Sequence, residues 1–189
     1  TTIKRNQIES ITITTSLSGH TANGTNCWDV SSERTGVVLA WATDTDSDGL
    51  YEITIGSASG VIANQNSSKL FSNLTNLTTL SGLNNLLTNN VTSMQYMFAN
   101  TNNLTTLNLN EINTSNVTNM ASMLSQTSRL STLNISSINT AKVTDMSNMF
   151  AGANNLTTLN ASNFNTINVT DMSGMFAETN KLTTLNIND

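Results

Sequence analysis

From Ser67 onward the apolar positions of the chain return every 26 residues. Val91, Val117, Val143 and Val169 form one column. Met94, Met120, Met146 and Met172 form a second, and Met97, Met123, Met149 and Met175 a third; together these eight are all the methionines of the chain. Phe98, Leu124, Phe150 and Phe176 keep step, as do Leu104, Leu130, Leu156 and Leu182, then Leu107, Leu133, Leu159 and Leu185. A partial earlier copy, KLFSNLTNLTTLSGLNNLL, sets Phe71, Leu77 and Leu80 27 residues before Phe98, Leu104 and Leu107.

Within the unit two spacings alternate. Leu107 and Leu109 alternate with Thr106 and Asn108, the period of a strand with one apolar face. The other half, Val-Thr-x-Met-x-x-Met-Phe, spaces its apolar residues by three and one, which predicts a short helical turn. One unit cannot bury its apolar side alone, so neighbouring units must stack, with the methionines as adaptable core filler. The period falls in the range of leucine-rich repeats. The expected fold class is therefore α/β leaning to β: a right-handed leucine-rich-repeat solenoid of parallel strands and short helical turns with an N-terminal β cap. Residues 64–189 would hold about five coils, and residues 1–63 the cap.

The polar positions recur as well. Thr106, Thr132, Thr158 and Thr184 predict one outward row, and Asn108, Asn134, Asn160 and Asn186 the next. Stacked amides and hydroxyls can bond along the stacking axis, and the same rows are the candidate ligand face. A regular Thr array also suits ice binding, a lesser reading because the Thr row is single and flanked by the bulkier Asn. Asp145 and Asp171 share one repeat position, where they are expected to cap the helical turns.

Residues 1–63 lack the period. QIESITIT, with Ile8, Ile11 and Ile13, reads as an edge strand. The alternating runs around Leu39–Trp41 and Tyr51–Ile55, joined by a turn ending in Asp-Gly, predict a hairpin. Its turn spells D-x-D-x-D-G on Asp44, Asp46, Asp48 and Gly49, the opening of a calcium loop. Position 12 would be Ile55 where a bidentate Glu is needed, and the flanks read as strands. A solvated acidic turn thus competes with a calcium site, the one cofactor the sequence suggests.

Charge narrows the function. Seven Lys and Arg against twelve Asp and Glu leave a net charge of −5, without the basic cluster that nucleic acid demands. No apolar run is long enough to span a bilayer. Cys27 is the single cysteine and His20 the single histidine. TANGTN between them reads as a loop with no orienting third group, so catalysis is not expected and Cys27 reads as a small buried hydrophobe.

The unit N-T-x-x-V-T-x-M-x-x-M-F-x-x-x-x-x-L-x-x-L-N-L resembles the 26-residue repeat of the BspA-like bacterial surface leucine-rich proteins. The resemblance runs from Ser67 to Asp189, and WDVS (Trp28 to Ser31) with VIANQNSSKLF (Val61 to Phe71) resembles the region that introduces such repeats. It implies an extracellular, surface-displayed protein for adhesion or recognition. The partner would be a host or neighbouring-cell surface protein or glycan, or copies of the chain end to end. A structural spacer or fibre unit with no ligand of its own is the competing expectation. The family commonly carries a Cys after the Met-Phe pair, where this chain has Thr101, Thr127, Ala153 and Thr179. The chain also stops inside a repeat at NIND, the pattern expected of a truncated or continuing C-terminal end.

Overall fold

The computed structural model describes residues 2–31 and 35–187. Its largest sheet has the order β2-β3-β4-β1-β6, with β1 at Ile8–Thr14, β2 at Cys27–Asp29, β3 at Leu39–Thr43, β4 at Tyr51–Gly56 and β6 at Thr79–Ser81. The β3–β4 pair is the hairpin of the Asp-Gly turn, in antiparallel register. β1 runs parallel to both β4 and β6. It is therefore central, not an edge strand, and it joins the N-terminal strands to the first repeat. Ile11 and Ile13 of β1 are buried in the same core cluster as the repeats.

Beyond this sheet the strands are fragments. β5 (Val61–Ile62) pairs with β7 (Leu86–Leu87), β8 (Thr106–Asn108) with β9 (Thr132–Asn134), and β10 (Thr158–Ala161) with β11 (Thr184–Ile187), each as a separate parallel two-stranded sheet. Thr106 faces Thr132, Leu107 faces Leu133, and Thr158 faces Thr184. No ladder joins β9 to β10 among the described residues.

The expected leucine-rich-repeat solenoid, with a helical turn in every coil, is corrected here. Small mixed and parallel sheets make up the regular structure. Helix is confined, among the described residues, to two three-residue 3-10 turns at Arg5–Gln7 and Leu83–Asn85. The reason lies in the backbone of the methionine half. Tyr96 and Asn100, Ser122 and Gln126, and Asn148 with Gly152 all have positive φ, between 54° and 74°. Left-handed residues four apart cannot belong to one right-handed helix. The Met-x-x-Met-Phe stretch is instead a run of tight turns, with Met97 N–H donating to Met94 C=O and Ala99 N–H to Tyr96 C=O.

Those turns hand their remaining donors to the next unit. Met94, Tyr96, Phe98 and Asn100 N–H donate to the carbonyls of Asn119, Ala121, Met123 and Ser125, at 2.9 to 3.0 Å. Met120, Ser122, Leu124 and Gln126 repeat the pattern onto Asp145, Ser147, Met149 and Ala151. Buried backbone polar groups must be paired, and for these eight donors the partner is the following repeat. At the start of this strip the bonds Met94 N–H to Asn119 C=O and Met120 N–H to Asp145 C=O close single parallel bridges, which run Asn66–Ser93–Asn119–Asp145–Asp171.

Inside the repeats lies one apolar core. Met94, Met97, Met120, Met123, Met146 and Met149 are completely buried, together with Phe98, Phe150 and the valines before them. Phe71 stacks on Phe98 and Phe150 on Phe176, with centroids 5.4 and 5.7 Å apart. The last unit breaks the pattern: Met172 is 44 % exposed and Ile187 63 %.

Buried threonines lock the units together. Thr88 Oγ1 donates to Asn113 C=O at 2.9 Å and accepts Asn113 N–H at 2.8 Å. Thr114 does the same with Asn139, and Thr140 with Asn165. A second row, Thr101 and Thr127, is wholly buried and donates to the carbonyls of Phe98 and Leu124. Ala153 takes the same place in the next repeat without a hydroxyl.

Candidate functional site

The outward strand positions stand where the alternation places them. Thr106, Asn108, Thr132, Asn134, Thr158, Asn160, Thr184 and Asn186 are all exposed, above the inward leucines. The asparagines do not form an amide ladder with one another. Asn108 Oδ1 accepts Asn110 N–H, Asn134 Oδ1 accepts Ser136 N–H and Asn160 Oδ1 accepts Ser162 N–H. Each amide thus closes a local turn as the chain leaves its strand. The unit-to-unit amide bonds lie elsewhere: Asn100 to Asn73, Asn103 to Asn76 and Asn180 to Asn154. Since β9 and β10 do not pair, the rows fall into two panels.

A second polar surface, not predicted, flanks the strip of single bridges. It is a shallow hollow lined by Gln65, Asn90, Thr92, Asn116, Thr118 and Lys142, with Ala63 at one end. Thr92 and Thr118 occupy one repeat position and Asn90, Asn116 and Lys142 another. Thr118 Oγ1 donates to Thr92 C=O, and Lys142 Nζ donates to Asn116 Oδ1 at 2.7 Å. The signal was present as the 26-residue spacing of Asn90 and Asn116 and of Thr92 and Thr118.

The acidic loop gains a member that spacing could not supply. Glu9 on β1 comes beside the β3–β4 turn, and carboxylate oxygens of Glu9, Asp46 and Asp48 lie within 4.8 Å of one another. Burial first, then the charges of Asp48 and Asp46, push the Glu9 carboxyl above its ordinary value. Asp44 is not in that group; its Oδ2 accepts Gly49 N–H, and Oδ1 is buried without a partner. Glu52 is held by the Thr45 hydroxyl, which lowers its pKa, while its Oε2 is buried unpartnered. The three converging carboxylates offer hard oxygen donors, fewer than the roughly six to eight oxygens calcium takes.

His20 and Cys27 are each placed beside Trp41. The His20 ring stacks on Trp41 with centroids 4.4 Å apart. Cys27 lies opposite Trp41 across the β2–β3 register, and burial pushes its thiol up, away from the thiolate a nucleophile needs. Asp145 and Asp171 were expected to cap helices; they cap turns instead, accepting the N–H of Ser147 and Ser173. The Ser173 N–H, then its hydroxyl, holds the Asp171 carboxyl below its ordinary value. Among the described residues no helix is long and apolar enough to cross a membrane.

Comparison with known proteins corrects the resemblance drawn from the repeat. The matching family model is described as "Mycoplasma protein of unknown function, DUF285"; no leucine-rich-repeat family matches, and the BspA-like reading falls with it. No curated protein and no solved structure matches the chain. The misreading came from a shared surface pattern: LxxLxL at a period of 26 is compatible with leucine-rich repeats, whereas the left-handed turns that set this fold apart leave no mark in the leucines. The family match covers residues 65–188, all the repeats and their entry, and on that match the chain belongs to the DUF285 family.

Proposed function

We propose that this protein is an extracellular, surface-displayed recognition module that holds a protein or glycan of a host or neighbouring cell with the outward side chains of its stacked repeats. One observation carries the reading. Asn108, Asn134 and Asn160 each fix the amide oxygen in a turn, and the amide hydrogens stay free to meet a partner. Such groups are pre-oriented at no further entropic cost, which favours binding. The face is almost uncharged, so attachment depends little on salt.

The test is attachment of the purified protein to cells, compared with a variant in which Asn108, Asn134 and Asn160 are all replaced by Lys. Surface changes of this kind cost little stability, and the replaced amides bond only within their own turns. The variant is expected to fold and to lose attachment. A folded variant that attaches like the wild type would reduce the strand face to scaffold and favour the spacer reading.

A further inference from the structure

We infer that the hollow beside the single-bridge strip is a second binding site, independent of the strand face, for an extended, hydroxyl-rich glycan chain lying along the stacking axis. Three features of the hollow point to this ligand class.

The first is that the N–H groups of its two threonines are spent. Thr92 N–H donates to Gln65 C=O and Thr118 N–H to Thr92 C=O. An extended peptide binds a sheet through free main-chain groups, and the two threonine N–H groups at the centre of the hollow are already engaged. Recognition along this centre runs through side chains.

The second is the pairing of donors with acceptors. The hydroxyls of Thr92 and Thr118 spend their protons on the carbonyls of Gln65 and Thr92. Their outward lone pairs are left as acceptors. The side chains of Gln65 and Asn90 have no hydrogen-bond partner among the described residues and add amide donors beside them. Neighbouring sugar hydroxyls are donors and acceptors at once, so they match an alternating row of both. No carboxylate lines the hollow.

The third is pitch. Parallel neighbours in a sheet lie about 4.8 Å apart, close to the advance of one pyranose along an extended β-linked chain. Because neighbouring β-1,4-linked rings are turned about half a revolution, sugars two apart would meet every second repeat in the same way, each contact weak because no aromatic ring lines the hollow to stack on. Affinity would then accumulate with chain length.

The experiment titrates chitohexaose, a soluble β-linked hexasaccharide, into the whole chain by calorimetry. The same titration is run on Gln65→Ala/Asn90→Ala and on the triple Lys variant of the strand face. Saturable binding is expected for the wild type, lost by about tenfold or more in the double variant and kept in the triple variant. Chitobiose should bind at least about tenfold more weakly than the hexasaccharide. The inference is overturned if chitohexaose does not bind saturably, if the double variant binds it as the wild type does, or if the disaccharide binds equally well. Cell attachment of the wild type separates the two readings, because it can persist when chitohexaose fails and can fail when chitohexaose binds.

Discussion

Replacing Thr114 with Val keeps the shape of a buried side chain and removes one hydroxyl. That hydroxyl makes two bonds to the following repeat: it donates to Asn139 C=O at 3.0 Å and accepts Asn139 N–H at 2.8 Å. Both bonds are part-buried at an exposed Asn139, so each is worth about 0.5–1.5 kcal/mol net and the pair predicts a loss of about 1–3 kcal/mol. Thr114→Ser keeps both bonds and gives up one methyl, worth about 1 kcal/mol. Urea unfolding should therefore rank wild type above Ser and Ser above Val. Amide exchange adds a local readout, since Asn139 N–H should exchange faster in the Val variant only. If Val matched the wild type, or harmed it less than Ser, the buried hydroxyl would be a passenger and the units would be held by apolar packing alone.

Four further outcomes follow from the same geometry. Met149→Ala, at a fully buried position, should cost about 2–5 kcal/mol, whereas Met172→Ala, 44 % exposed, should stay within about 0.5 kcal/mol, both by denaturant titration. Gly82→Ala should cost more than about 2 kcal/mol, because φ is +74° and a Cβ would lie 1.9 Å from Ile13 C=O. Glu178→Gly should leave stability unchanged or raise it by up to about 1 kcal/mol, since Glu178 holds φ +57° on the surface. Glu9 has a raised folded pKa, so the folded state keeps its proton longer and stability falls as pH rises through the window above the ordinary glutamate value. Glu9→Gln should thus melt higher than wild type at pH 7, with the difference gone below about pH 4; an equal gain at both pH values would mean that charge is not the cause.

The side of each residue was legible, and the path of the backbone between them was not. Inward leucines, buried methionines and exposed Thr and Asn rows follow from periodicity, because burial acts on the side chain that the pattern records. The turn half does not, because Tyr96, Ser122 and Asn148 share a left-handed conformation without sharing any side-chain chemistry. Only Gly174, in the fourth copy, betrays the position. Apolar spacing of three and one fits helices and consecutive turns alike, so the pattern could not choose between them. The interior place of β1 was equally hidden, since its partners Tyr51–Gly56 and Thr79–Ser81 lie far along the chain and its polar alternation looks like an edge. Glu9 joins the acidic loop through that same long-range pairing. The asparagine rows could be located, but their use of Oδ1 in local turns depends on backbone geometry that spacing does not encode.

Each unit is tied to the next by backbone bonds running both ways, Met94 N–H to Asn119 C=O forward and Thr118 N–H to Thr92 C=O back, and this has a mechanical consequence. A pull on the chain from the C-terminal end does not load those bonds together as a sheared sheet would. It loads one repeat at a time and peels it from the one before. Every event frees 26 residues, or roughly 90 Å of contour length at about 3.5 Å per residue. Force–extension traces should therefore show evenly spaced, modest peaks in place of a single high one. Under tension the protein behaves as a ratcheted tether that yields in steps, so a contact at its surface can outlast a sudden strain.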